Sequence, residues 1–191
     1  YITLIKNRTL VVQPNTFTNQ TNSIHMHEVL SDIIFESFIE TDKLKTSGGK
    51  ITHLRKSGFV EMTVGVLEDK GKIKALSPSI TVAEQSILSV EEKFQGGTGV
   101  NITPPPKEII SLKNIEKVQN SVEKVAVMLG IRGYARIDVF VQVETGKIIV
   151  IEINTLPGLT PSTVIYHQAL AEKPSMYPTQ LLEKIIQNAG Y

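Results

Sequence analysis

Four side chains at one end of two apolar runs could do chemistry together: Arg136, Asp138, Glu152 and Asn154. Two carboxylates and an amide carbonyl are hard oxygen donors of the kind that hold Mg²⁺. Mg²⁺ keeps several waters and tends to complete its shell with phosphate oxygens, so a cation here implies a nucleotide. Two facing carboxylates with Cβ atoms about 5 Å apart repel each other, and a guanidinium or a divalent cation must offset that repulsion.

The elements that would position these groups are the runs Ala135–Val143 and Ile148–Ile153, separated by Glu144-Thr145-Gly146. A three-residue hairpin loop with glycine in the left-handed position joins such strands readily. That register sets Asp138 opposite Glu152 and Arg136 opposite Asn154. It also sets Ile137, Val139, Val141 and Val143 against Ile149, Ile151 and Ile153 on a wholly apolar face, which must be core. A two-residue loop would turn Glu152 to that face and dissolve the cluster. On spacing alone two readings stand: a structural ion-pair cluster at a strand end, or a cation site. Beyond Asn154 the chain enters the Gly/Pro/Thr-rich turn Thr155-Leu156-Pro157-Gly158-Leu159-Thr160-Pro161-Ser162-Thr163. Backbone N–H groups near Gly158 and the hydroxyls of Ser162 and Thr163 could receive an anion; otherwise the turn is an ordinary end to a strand.

Elsewhere the chain reads as short strands followed by helices. Val12 to about Val29 is polar and turn-rich and reads as a loop. Residues 1–31 are expected to form a polar, disordered N-terminal segment, and 32–191 one partial domain. Strands are expected at Ile33–Ile39, at Phe59–Leu67 and, after a turn at Asp69-Lys70-Gly71, at Ile73–Leu76. The polar stretch Glu40–Lys56 between the first two reads as a surface loop. Gln95-Gly96-Gly97-Thr98-Gly99 is flexible in composition, and Pro104-Pro105-Pro106 forms a stiff segment after it. Ile115, Val118, Val122, Val125 and Leu129 recur at helical spacing, with Gly130 placed to cap the end. Pro178–Asn188 reads as an amphipathic helix with Leu181, Leu182, Ile185 and Ile186 on one face.

The 191 residues carry 20 basic and 19 acidic side chains, for a net charge of +1, and 41% hydrophobic residues. That balance gives no electrostatic case for nucleic acid or an anionic membrane. The absence of cysteine excludes disulfides and thiolate metal sites. No apolar run nears the roughly 18 residues that span a bilayer, and Tyr1–Val12 lacks the pattern of a signal peptide.

Two segments then carry a family resemblance: Gly133-Tyr134-Ala135-Arg136-Ile137-Asp138, followed by Glu152-Ile153-Asn154-Thr155-Leu156-Pro157-Gly158-Leu159-Thr160. Together, in this order and at this separation, they resemble the C-terminal signature of the D-alanine–D-alanine ligases, an ATP-grasp family. The resemblance extends back to about Asp32 and is closest to the longer, plant-type members. Ile34-Phe35-Glu36-Ser37-Phe38-Ile39 resembles the hinge strand that holds adenine. Val60-Glu61-Met62-Thr63-Val64 resembles the strand whose acidic residue binds ribose, and Glu91-Glu92-Lys93-Phe94 the lysine–aromatic element ahead of a flexible active-site loop.

The resemblance implies an α+β fold, an ATP-grasp-like lobe with an antiparallel sheet and helices packed on one side. It implies a ligase that joins two D-alanines through an acyl-phosphate, using ATP and Mg²⁺ (or Mn²⁺), for cell-wall precursor synthesis in a cytoplasm or a plastid stroma. Glu36, Phe38 and Ile39 would contact adenine, the first two through backbone groups. Glu61 would accept hydrogen bonds from the ribose, and Lys93 would meet the phosphates. Asp138, Glu152 and Asn154 would hold the metal. Arg136 and the Gly158 N–H would stabilise the oxyanion formed when the second amine attacks, and Ser162 or Thr163 would hold the second carboxylate. D-Alanine and ATP are the implied partners, without nucleic acid or membrane, and a homodimer is left open. Alternatives are another ATP-grasp carboxylate–amine ligase, or a non-catalytic nucleotide-binding module.

Departures from the family pattern are the threonine at 163 where serine is usual and the phenylalanine at 94 where tyrosine is common. The Gly/Ser-rich phosphate loop and the domain for the first D-alanine are not found. Val11-Val12-Gln13-Pro14 faintly resembles the strand before that loop, with Gln13 in place of lysine. The chain is therefore read as the C-terminal part of a ligase, inactive by itself. His25 and His27, with only Glu28 nearby, are a poor metal site; His53 and His167 read as surface residues. Glu68, Asp69 and Lys70 read as a solvated hairpin tip, and Lys43, Lys45, Lys50 and Lys56 as solubilising charges.

Overall fold

A computed structural model describes residues 2–6, 9–12, 37–47, 50–82 and 100–189. The chain divides into two units, Tyr1–Phe38 and Ile39–Tyr191. In the first, β1 (Ile2–Lys6) and β2 (Thr9–Val12) pair antiparallel. Glu36, Lys93, His25, His27 and the glycine-rich run Gln95–Gly99 lie outside the described residues.

The second unit begins with a hairpin, β3 (Lys43–Ser47) and β4 (Lys50–Leu54). It continues with β5 (Phe59–Asp69), β6 (Lys72–Ala75), β7 (Ser79–Val82), β8 (Val100–Ile102), helix α1 (Leu112–Met128), β9 (Tyr134–Gln142) and β10 (Ile148–Asn154). Helices α2 (Val164–Leu170) and α3 (Pro178–Asn188) close it. A six-stranded antiparallel sheet runs β10-β9-β5-β7-β8, with β6 also paired to β5. Strand β5 is its spine. One edge pairs with β9 from Phe59 to Leu67; the other pairs first with β7 and then with β6.

Alternation along β9 and the first half of β5 decides which side is core. Val60, Met62, Val64 and Val66 share one face with Ala135, Ile137, Val139 and Val141, and α1 covers it with Ile115, Val118, Val122 and Ala126. Fully burying each valine, isoleucine or methionine among them stabilises by about 1.5–3 kcal/mol. Helix α1 starts at Ser111, whose hydroxyl accepts the Asn114 N–H, and the chain turns out of it at Gly130, at φ 66. Glycine tolerates that conformation without steric cost. The fold is thus α+β with an antiparallel sheet, as expected. The one-sided expectation did not include a second packing layer: Ile165, Tyr166 and Ala169 of α2 and Leu181 of α3 pack with Leu67 and Leu76 at one end of the opposite face.

Three local expectations are corrected. The stretch Glu40–Lys56 is a hairpin rather than a surface loop. Each of its strands carries a single apolar anchor, Leu44 and Ile51, that packs on the core, too weak an alternation to announce a strand. Glu68 is buried rather than solvated, because its carboxylate accepts the Gly133 N–H at 2.8 Å. His53 is mostly buried against Asp42 rather than a surface residue, whereas His167 is exposed.

Candidate active site

Strands β9 and β10 pair Asp138 with Glu152 and Arg136 with Asn154. Both pairs were expected, but the chain reaches them by another route. The turn closes where the Gln142 N–H donates to the Lys147 carbonyl at 2.9 Å, leaving a four-residue loop, Val143 to Gly146. That shifts the first rungs by one residue, to Ile148–Val141, Ile149–Phe140 and Val150–Val139. A bulge at Ile151 then restores the register before Glu152. Gly146 sits in the turn at φ +74, where an added Cβ would stand 3.0 Å from the Asn114 carbonyl of α1. The helix thereby fixes the turn.

The bulge corrects the expected apolar face. Paired residues share a face, so Ile148, Val150 and Ile153 lie on the α1 side of the sheet. Ile149 instead joins Phe140, Asp138 and Glu152 on the other side. Ile149 and Ile151 are consequently exposed on an edge strand rather than core.

On that other side the pairing of β5 with β9 places Glu61 opposite Phe140, Thr63 opposite Asp138 and Gly65 opposite Arg136. Glu61, Arg136, Asp138, Glu152 and Asn154 therefore lie on one sheet face, with Phe140 and Ile149 beside them as an apolar floor that sequence reasoning missed. Alternation in β9 alone puts Phe140 beside Asp138, whereas the side taken by Ile149 is hidden until the bulge is known.

One guanidinium nitrogen serves both carboxylates. Arg136 Nη2 lies 3.2 Å from Asp138 Oδ2 and 3.5 Å from Glu152 Oε1. The surroundings are unequal: the Asp138 side chain is 13% exposed and that of Glu152 57%. Among the described residues Arg136 Nε and Asp138 Oδ1 are buried without a hydrogen-bond partner. Such orphan groups are costly unless something else satisfies them. A free carboxylate oxygen beside a second, solvent-facing carboxylate suits a hard cation, and an unpaired guanidinium N–H suits an anion. Asn154 Oδ1 accepts the Leu156 N–H at 3.1 Å and keeps a second lone pair. Among the described residues no three His, Cys, Asp or Glu side chains gather as a metal group; the oxygen-bearing side chains paired here are two carboxylates and one amide.

The remaining candidates divide. Gly158 and Ser162 are exposed in the loop from β10 to α2, and Thr163 is the N-cap of α2, with a hydroxyl that makes no capping bond. The Tyr166 hydroxyl ties this loop back by donating to the Leu159 carbonyl. Phe38, in the first unit, is 88% exposed, and Ile39, in the second, is half-buried. At the other edge of β5, the fully buried Gln168 of α2 accepts the Gly65 N–H (2.8 Å) and donates to the Thr63 carbonyl (2.8 Å) and the Ser79 hydroxyl (3.1 Å). This amide fills the gap in the sheet where β7 ends and β6 begins.

The family model of the D-ala D-ala ligase C-terminus matches residues 11–187, and the chain belongs to that family. It is 33% identical over 113 residues to the D-alanine–D-alanine ligase of Nitratidesulfovibrio vulgaris, covering 59% of this chain and 35% of that protein. It shares its fold with the D-alanine–D-alanine ligase of Bacillus anthracis, at TM-score 0.52 and 20% identity over 81% of this chain and 41% of that one. The VanG D-Ala:D-Ser ligase of Enterococcus faecalis is alike at TM-score 0.52 and 20% identity, over 72% of this chain and 38% of that one. The chain thus spans about a third of the length of the curated relatives it matches.

Proposed function

We propose that this chain is the nucleotide- and metal-binding part of a ligase that joins two D-alanines with ATP, as a step in cell-wall precursor synthesis in a cytoplasm or a plastid stroma. The observation that carries the reading is the shared guanidinium of Arg136 with the orphaned Asp138 Oδ1 beside it. The ion pair by itself gives Asp138 Oδ1 no partner, whereas a bound cation would satisfy it.

In this reading Asp138, Glu152 and Asn154 hold Mg²⁺ or Mn²⁺, which supplies charge neutralisation at the phosphates when bound. Glu61 accepts the ribose hydroxyls and Lys93 meets the phosphates. Glu36, Phe38 and Ile39 hold adenine, and Phe140 and Ile149 give the nucleotide an apolar floor. The first D-alanine's carboxylate attacks the γ-phosphorus and ADP leaves, a transfer governed by positioning and electrostatics. The second D-alanine's amine then attacks the acyl carbon. Arg136 and the Gly158 N–H stabilise the resulting oxyanion, and inorganic phosphate departs as the peptide bond forms. Removing one such donor typically slows a reaction about a hundredfold. Ser162 or Thr163 fixes the carboxylate of the second substrate.

Calorimetry of the 191-residue chain with ATP tests this reading. Binding is expected with Mg²⁺ and is expected to be much weaker with EDTA; equal binding in both would overturn the reading. Incubated with Mg·ATP and D-alanine or D-serine, the chain by itself is expected to release no phosphate, because transfer depends steeply on alignment of both reactants. Turnover that survives in the wild type and vanishes in Glu152→Ala would show that these 191 residues suffice.

A further inference from the structure

The segment leading out of the candidate adenine hinge is held by one buried carboxylate. Asp42 Oδ1 accepts three consecutive backbone N–H groups, those of Lys56 (2.8 Å), Ser57 (2.9 Å) and Gly58 (2.9 Å). Its Oδ2 accepts a hydrogen bond from the His53 ring at Nε2, at 2.7 Å. The Asp42 N–H donates to the Phe59 carbonyl at 2.7 Å, which joins the segment to the first residue of β5. Two outer contacts close the same knot: Lys56 Nζ to Glu40 Oε1 at 2.6 Å, and the Ser57 hydroxyl to the Glu40 carbonyl. The Gly58 carbonyl in turn accepts the Val143 N–H at 2.9 Å, so the knot is pinned to the sheet.

A carboxylate with four donors is a strong, geometrically specific anchor. Burial pushes the Asp42 carboxyl up, but the bonds from Lys56, His53, Gly58 and Ser57 outweigh it and hold the group below the usual carboxylate range. Through the Asp42 N–H and the Glu40 carbonyl the segment is tied to Phe59 and Ser57, and Phe59 stands two residues before Glu61 on the same face of β5.

We propose that Asp42 is a positioning residue that sets the backbone of Ile39–Thr41 at a fixed offset from Glu61, so that base and ribose are read as one rigid unit. The proposal rests on the nucleotide reading given above. It touches neither the metal ligands nor the phosphates. Loosening the knot should therefore erode recognition of the base while leaving the cation site intact, a separation that a general loss of folding would not produce.

The test is calorimetry of the 191-residue chain with Mg·ATP and Mg·GTP, together with Mn²⁺ alone followed by electron paramagnetic resonance. In Asp42→Ala, Mg·ATP affinity is expected to fall about tenfold or more, from the loss of charge-assisted bonds. The preference for ATP over GTP should shrink towards unity while Mn²⁺ affinity stays as in the wild type. Asp42→Asn, whose Oδ1 can still accept the three N–H groups, should recover much of the preference. An unchanged preference in Asp42→Ala, with nucleotide still bound, overturns the proposal and leaves the nucleotide reading standing. A wild-type chain that binds neither nucleotide overturns both. Should Asp42→Ala fail to fold, His53→Ala removes only one of the four contacts. A loss of about two- to threefold in the preference is then expected, and no change counts against the proposal.

Discussion

Asp138→Asn is expected to lower the affinity of the chain for Mn²⁺, and for Mg·ATP, by about a hundredfold, from the loss of a charged contact of roughly 3 kcal/mol. The side chain keeps its shape but loses its charge, and Asp138 is the desolvated member of the pair, where a charge acts most strongly. Glu152→Gln should cost less, about tenfold, because its carboxylate is more than half exposed and solvent screens it. A purely structural ion pair gives a different pattern. Neutralising Asp138 would then leave Arg136 without its closest partner and lower thermal stability, with cation affinity unmoved. Electron paramagnetic resonance of Mn²⁺ and a thermal melt of the same variants separate the two. Equal Mn²⁺ binding by wild type and Asp138→Asn would remove the metal role.

The second large effect concerns packing beside the site. In Gly65→Val the first added carbon would stand 2.6 Å from Gln168 Oε1, 3.1 Å from Ile165 and 3.2 Å from Leu76. None of these can retreat easily, since Gln168 is held by three hydrogen bonds and the other two are core. Overpacking of this kind costs about 1–3 kcal/mol, and unpairing the buried Gly65 N–H adds about 1–3 kcal/mol more. For a domain of this size the melting temperature should fall by roughly 6–15 °C. Gln168→Leu should show a comparable loss, because it strands the Thr63 carbonyl and the Gly65 N–H together. Gly158→Ala is the control: no atom lies within 4 Å of its added Cβ and its backbone is unstrained, so stability should not move. A Gly65→Val protein that melts with the wild type would refute the seating of α2 through Gln168.

The geometry of the candidate site was legible in the sequence where the pattern is strong and local. Alternation in Ala135–Val143 identified the buried face of β9, and the spacing of the charged residues identified the pairs Asp138–Glu152 and Arg136–Asn154. Helix α1 and helix α3 announced themselves through four or more apolar residues at helical spacing, and Gly130 through its place after the last of them. The features that stayed hidden depend on partners far along the chain. Asp42 looks like one more polar loop residue until the turn at Lys56–Gly58 folds onto it, and nothing in the order of residues joins Gln168 to Gly65, 103 positions away. Helix α2 has seven residues, too few for a periodic signal. The position of Ile149 was misjudged because a bulge leaves no mark in a run of isoleucines and valines.

That bulge has a consequence for insertions and deletions. Removing one residue from the middle of a strand normally turns everything beyond it inside out, since side chains alternate. Strand β10 is an exception at one position. Ile151 has no partner on β9, so excising it would leave Val150 facing Val139 and Glu152 facing Asp138 as they do now. The shortened chain should fold, keep its carboxylates on the same side and bind Mn²⁺ like the wild type. Excising Ile153 instead would carry Asn154 into the apolar layer under α1. The length of this strand is therefore free to vary by one residue at Ile151 and is fixed at Ile153.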